Sequence, residues 1–162
     1  MGRTPDTYRN QKITGRLSYD IQSRVNAETN QQEVSFPSGS FLYEGQGVFE
    51  VHRLIPRVFS INANGDILED LGADGLALVD VMIRGTNREQ EMTKRATPLI
   101  CLTLGSAERT WEWPEPYYLD KTEGFVVTFN VADLSQFYAP EDVPLLRVSL
   151  SFQGFILDFK GA

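Results

Sequence analysis

Apolar and polar residues alternate along several stretches of this chain. Phe125, Val127, Phe129 and Val131 fall on one face of an extended backbone, and Val126, Thr128 and Asn130 fall on the other. A period of two is that of a half-buried β-strand. Leu76 to Arg84 repeats the pattern, with Val79, Val81 and Ile83 set against Asp80 and Arg84. Between Val48 and Ile61, Phe49 and Val51 oppose Glu50 and His52 until Pro56 interrupts. A proline there predicts an edge position, a bulge or a bend. In the last run, Leu146, Val148, Leu150 and Phe152 share a face up to Gly154, where the apolar set slips to Phe155, Leu157 and Phe159. A slip of one residue turns every side chain over, so Gly154 is expected to mark a β-bulge or a sharp bend.

Shorter signals fill in the rest. Phe36-Pro37-Ser38-Gly39-Ser40 reads as a turn before a short strand, Phe41-Leu42-Tyr43. Asn64-Gly65 is a hairpin signal, because both residues tolerate positive φ. Pro98 to Leu104 is apolar on both faces and reads as an inner strand, while Asp133-Leu134-Ser135 begins one helical turn. Wide loops are expected at 85–97 and 132–144, and no window of 11–18 residues has helical period. The expected fold is all-β: a jelly-roll-like antiparallel β-sandwich of about eight strands. Residues 1–32 read as a flexible, polar, extended N-terminal arm and residues 33–162 as the sandwich. Within the arm Ile13, Leu17, Tyr19 and Ile21 alternate weakly, enough for part of it to add as an edge strand once docked.

Composition narrows the functions. A chain of 162 residues makes one ordinary domain, able to bury a core without disulfide or metal. A net charge of −7 argues against nucleic acid as the main partner. The charge is uneven: residues 1–32 carry Arg3, Arg9, Lys12, Arg16 and Arg24 against three acids, net +2, which leaves −9 for the remainder. A basic leader on an acidic body suggests an arm reaching something acidic, such as a neighbouring copy, with a solvated tail as the bland alternative. The single cysteine excludes an internal disulfide framework. No apolar run approaches membrane-spanning length and no signal segment precedes the arm, so folding in a cytosol is expected.

Chemistry is hard to assemble from these residues. His52 is the one imidazole, and Cys101 lies in an apolar run where a thiol packs as a small hydrophobe. One histidine and one cysteine do not close a zinc site. Asn62-x-Asn64-x-Asp66 opens like a calcium loop, with Asp70 and Asp74 nearby, but Ile67 stands where such a loop needs glycine. Glu112 and Glu115 flank aromatic rings as a glycosidase pair would, yet three residues of extended chain do not match them across one cleft. The expectation is no catalytic residue, no metal and no cofactor.

Trp111-Glu112-Trp113-Pro114-Glu115-Pro116-Tyr117-Tyr118-Leu119 is the densest aromatic segment. Its two prolines keep it from the interior of a sheet. Trp111, Trp113, Tyr117 and Tyr118 either cover one end of the core, anchor another protein, or stack on a glycan.

The order of segments in the second half completes the reading. Val79-Asp80-Val81-Met82-Ile83-Arg84-Gly85 leads through a polar loop to Pro98-Leu99. Trp113 to Leu119 follows, then the Phe125–Asn130 strand and Leu146 to Phe155, with Phe49 to Ile55 as a first long strand. This arrangement resembles small jelly-roll virion structural proteins of tailed bacteriophages, of the cement, decoration or minor head and tail-attachment kind. The resemblance implies a non-enzymatic virion component, made in the host cytoplasm, that self-associates as a homotrimer and binds the major capsid shell. Under it the contacts would come from Trp111, Trp113, Tyr117 and Tyr118, and from Arg3, Arg9, Lys12 and Arg16 of the arm. The competing expectation is a carbohydrate- or receptor-binding module using the Trp111–Tyr118 segment.

Overall fold

The computed structural model of the chain describes residues 8–26, 28–29, 31–35, 39–86, 93, 95–104, 106 and 108–159. The strands are β1 (Tyr8–Val25), β2 (Gln32–Ser35), β3 (Gly39–Leu42), β4 (Val48–Ile61), β5 (Ile67–Asp70), β6 (Val79–Gly85), β7 (Thr97–Pro98), β8 (Trp111–Leu119), β9 (Gly124–Val131) and β10 (Leu145–Phe159). Two short helices, α1 (Gly72–Leu78) and α2 (Leu99–Leu102), and 3-10 turns at Leu134–Gln136 and Pro140–Asp142 lie between them.

All pairings are antiparallel, and they build two sheets. The larger runs β2-β1-β10-β4-β5, with β8 also on β4; the smaller runs β3-β9-β6-β7. Leaving out β2 and β5, which stand at the two ends of the larger sheet's path, and numbering the other strands in chain order gives 1-8-3-6 and 2-7-4-5. The first strand therefore pairs with the last, and all but one of the successive steps cross from one sheet to the other. The inward faces meet in a single core that includes Phe49, Val51, Leu54 and Val58 of β4, Val79, Val81 and Ile83 of β6, Phe125 and Val127 of β9, and Leu146, Val148, Leu150 and Phe152 of β10. Apart from Leu54 and Val58, which an extra residue in β4 brings inward, these are the positions that alternation assigned inward. The antiparallel sandwich expected from the pattern is the fold.

The stretch expected as a flexible arm is, from Tyr8, the strand β1. It pairs with β10 from Tyr8 opposite Phe159 through Ile21 opposite Leu146. Its alternation is weak, but Leu17 and Ile21 are buried, and Ile13 and Tyr19 pack against the core. The long β10 supplies a template that the local sequence does not advertise. The expected boundary after residue 32 falls within β2, which pairs back onto β1.

Two further expectations give way to short helices. Pro98 to Leu104 was expected as an inner strand; after β7, Leu99–Leu102 forms one helical turn with Leu99 buried and Cys101 exposed. A short run apolar on both sides fits either a buried strand or a helical turn. Leu76 and Leu78, expected at the head of a strand, are buried residues of α1, and β6 begins at Val79. The turn at Asp133 forms as expected, with its carboxylate accepting from the backbone N–H of Ser135.

Pro56 and Gly154 sit where the sequence placed irregularities. One edge of β4 is continuous with β10, but the other is shared: β8 covers Phe49–Leu54 and β5 covers Phe59–Ile61. Pro56 occupies the interval between them, so β4 is a central strand at both ends and an edge strand in its middle. Gly154 lies at the register shift of the β4–β10 ladder, where Gln153 faces Arg53 but Gly154 faces Val51. The extra residue is His52, on β4. A Cβ on Gly154 would stand 1.8 Å from the Glu50 carbonyl oxygen, so the bulge requires glycine opposite it.

Candidate functional site

Both irregularities of β4 converge on one region, where β8 crosses it. Val51 faces Tyr117 and Arg53 faces Glu112, so residues 113–116 leave the ladder between those two pairs. Pro114 and Pro116, which have no N–H to give, fall in this excursion. The aromatic residues in and around it point in two directions.

Trp113 turns inward. Its ring stacks on Phe125 at 5.9 Å and 19°, lies 6.4 Å from Phe152, and meets Trp111 at 4.5 Å. Phe125 stacks on Phe152 at 4.8 Å, and Phe152 on Phe41 at 5.3 Å, so a column of rings runs from β8 through both sheets to β3. Tyr117 joins it against Phe125 at 5.2 Å. Trp111, Trp113 and Tyr117 are thus half-buried and packed on the core. Trp111, Trp113 and Tyr117 thus take the first of the placements the sequence left open, covering the core between the sheets; in the ladder Trp111 faces the inward Leu54 and Tyr117 the inward Val51. Trp113 Nε1 is buried and, among the described residues, has no hydrogen-bond acceptor.

Tyr118 turns outward. It stands opposite Glu50 in the β4–β8 ladder and is 45% exposed. Around it the outer face of the larger sheet carries a compact polar group. His52 Nε2 is hydrogen-bonded to Glu50 Oε1, and the imidazole sits edge-on to Phe155 at 5.2 Å and 88°. Arg53 Nη2 lies 3.7 Å from Glu112 Oε1. His52, Arg53, Gln153, Gly154 and Phe155 line a shallow depression of about 160 Å³. The bulge creates it by placing His52 and Arg53 in succession on the outer side of β4.

The chemistry of this depression is limited. An imidazole held by a carboxylate is half of a nucleophilic relay, but among the described residues no Ser, Thr or Cys lines the depression. Cys101 is on α2, a different part of the fold. Both basic side chains already face a carboxylate, so the pocket offers an anion little free positive charge. Glu112 sits in the ladder beside Arg53, and Glu115 lies in the proline excursion; both are exposed.

The calcium-like spacing folds into a tight turn. Asn62 Oδ1 accepts from the N–H groups of Asn64 and Asp66, and Asn62 Nδ2 donates to Asp66 Oδ2. Gly65, at φ 84°, completes the turn that Asn64-Gly65 signalled. Asp70 accepts from the N–H of Gly72. Among the described residues no group of three His, Cys, Asp or Glu is placed to hold a metal ion.

The basic residues expected at a contact lie on or beyond β1. Arg3 is outside the described residues. Arg9 and Lys12 occupy register positions opposite Asp158 and Phe155, and Arg16 stands opposite Ser151. Arg16 is exposed on the same outer face as Tyr118, while the neighbouring Leu17 is buried on the inner one. The feature that sequence reasoning missed is this outer face itself. Its signals are the successive His52-Arg53 pair and the apolar slip at Gly154, which sets Phe155 opposite Glu50 and against the His52 ring. Comparison of the chain with protein-family models, curated proteins and solved structures finds no match.

Proposed function

We propose that this chain is a non-enzymatic structural component of a virion, a cement or decoration protein that self-associates and binds the major capsid shell. The observation that carries the reading is the strand order. With β2 and β5 left out, two sheets ordered 1-8-3-6 and 2-7-4-5, the first strand paired to the last, support a reading as an eight-stranded jelly roll in two sheets. That is the fold implied by the resemblance to phage virion proteins. The contact surface in this reading is the outer face of the larger sheet: Tyr118 supplies an exposed aromatic anchor, and Arg16, Arg53 and Glu112 supply polar contacts around it. The tryptophans act from beneath, stiffening the strand that presents Tyr118.

The test is co-sedimentation with shells assembled from the major capsid protein of the same genome. Saturable binding is expected, weakened by Tyr118→Ala combined with Arg16→Glu while the melting temperature is unchanged. Protein that stays in the supernatant at saturating shell concentration rejects the reading. Truncation of residues 1–30 is not a usable probe of an arm, since it removes β1 from between β2 and β10.

A further inference from the structure

The two sides of β1 are unequally paired. Positions 8–21 face β10 on one side; on the other, among the described residues, only Gln22–Val25 are paired, with β2. Alternate residues of the long remaining stretch therefore direct N–H and C=O groups away from the sheet. Folded proteins blunt such edges with brevity, charged side chains, proline, bulges or inward charge; the charges of β1 at Lys12, Arg16 and Asp20 sit at outer positions, where they restrict register. The opposite edge is blunted by brevity and proline: β5 is four residues long, and β8 carries Pro114 and Pro116. β1 spans 18 residues without a proline, keeps unbroken register with β10, and its described inward side chains, Ile13, Leu17, Tyr19 and Ile21, are uncharged.

We propose that this edge is a two-fold interface: β1 of one copy pairs antiparallel with β1 of a second, merging the two larger sheets. A two-fold axis perpendicular to the sheet sets a strand antiparallel to itself, the better-bonded ladder. It also pairs inward positions only with inward ones, so the axis must pass through a residue. Charge then selects the residue. An axis at Thr14 sets Lys12 opposite Arg16, and an axis at Arg16 sets that residue opposite itself; both are like-charge contacts. An axis at Ser18 would set Arg16 opposite Asp20, but Arg147 already holds that carboxylate and only seven residues would pair before β2; an axis at Ile13 sets Leu17 opposite Arg9. An axis at Gly15 or Leu17 makes no like-charge contact and sets Ile13 opposite Leu17 or Ile21. At Leu17, Ile13 meets Ile21, Gly15 meets Tyr19, and Arg16 meets Ser18. Beyond Ile21 the edge is occupied by β2, which stops further slippage. A ladder of about nine residues per strand supplies on the order of ten main-chain hydrogen bonds, as many as an ordinary interface contains. The inference rests on the edge left unpaired among the described residues and not on the virion reading, and it differs from the threefold assembly that the resemblance implies.

Ser18 provides the test. It is exposed on the outer face, and its Oγ donates to Ser149 Oγ at 3.2 Å. Ser18→Lys and Ser18→Glu lose that contact alike but differ across the interface. In either allowed register position 18 faces a basic residue of the other copy, Lys12 or Arg16, twice per dimer. By sedimentation equilibrium the unaltered chain is expected to be a dimer. Ser18→Lys should raise its dissociation constant roughly tenfold, and Ser18→Glu should leave it unchanged or lower it. Circular dichroism melts at a concentration where each variant is monomeric keep a folding defect apart from an assembly defect. A monomeric wild-type chain, equal losses from both variants, or a larger oligomer indifferent to both overturns the inference. A monomer that still pellets with shells refutes the two-fold edge alone, whereas a dimer that fails to pellet refutes the virion reading alone.

Discussion

Arg147 closes on Asp20 with both arms of its guanidinium: Nε donates to Oδ1 at 2.5 Å and Nη2 donates to Oδ2 at 3.0 Å. The two residues face each other in β10 and β1, so the fork ties the last strand to the first. The hydrogen bonds from Arg147 hold the Asp20 carboxyl below its ordinary value of 3.8, against a smaller opposing effect of burial. A folded-state pKa below the unfolded one means that the unfolded chain takes up the proton first as the solution is acidified. The stabilisation is therefore complete above the ordinary carboxylate range and is lost as pH falls through the depressed value. The pair is substantially exposed, which keeps the effect small. Asp20→Asn is expected to lower the melting temperature by about 1–3 °C at neutral pH. The difference from the unaltered chain should shrink with added salt and close as the pH is taken below 3.8. Thermal melts from neutral pH down into the acid range check both.

Trp113 is expected to matter for stability before it matters for any partner. Its ring stacks on Phe125 and approaches Phe152, across the gap between the sheets. Trp113→Ala removes that contact at a site walled by other rings, and a loss of about 2–4 kcal/mol is expected in urea denaturation. Trp113→Phe keeps most of the stacking and deletes an Nε1–H that has no acceptor among the described residues, so it should cost under about 1.5 kcal/mol. A Trp113→Ala protein as stable as the unaltered chain would return the ring to the list of contact residues.

Gly154→Ala is expected to be among the most damaging of small substitutions. The new methyl would stand 1.8 Å from the carbonyl oxygen of Glu50, a backbone atom in the neighbouring strand, and no rotamer change relieves that overlap. Either β4 and β10 separate locally or the bulge at His52 reorganises. A loss of about 3 kcal/mol or more, or failure to accumulate as soluble protein, is expected. Gln153→Ala, one residue earlier, serves as a control and should change stability by about 0.5 kcal/mol or less.

How far the sequence could be read depended on how strongly each segment carried its own pattern. β4, β6, β9 and β10 alternate over enough residues that fold class and core positions followed from periodicity alone. The slip at Gly154 and the interruption at Pro56 were visible because each breaks an otherwise regular run. β1 was obscured: its inward positions are Ile13, Gly15, Leu17, Tyr19 and Ile21, and a glycine among spaced apolar residues on a polar strand looks like disorder until β10 pairs with it. α2 was hidden because the run Leu99-Ile100-Cys101-Leu102 has no period to distinguish turn from strand. In the aromatic segment the two prolines located an excursion from the ladder, but its direction depends on register with β4, which no local pattern encodes. That is why Trp113 and Tyr118, both legible as unusual, could not be sorted into an inward and an outward ring.

Pro56 offers the sharpest test of the divided edge of β4. In a β-strand the N and the carbonyl O of one residue point to the same side. The Pro56 carbonyl accepts from Arg57 Nη1 at 2.8 Å, a side-chain partner in place of a strand, so its nitrogen also faces the interval between β8 and β5. Proline suits that place because it has no N–H to leave unpaired. Pro56→Ala introduces an N–H beside a buried residue in the stretch where neither β8 nor β5 pairs with β4. It also frees the unfolded chain at one φ angle. Both effects act against the folded state, and a loss of about 1–2 kcal/mol in urea denaturation is expected. Were Pro56→Ala instead stabilising, the new N–H would have found an acceptor, and β4 would be paired through its middle. Hydrogen exchange separates the cases. The amide that the substitution creates at position 56 should exchange rapidly, while the amide of Arg57, directed to the opposite side of the strand and into the ladder with β10, stays protected.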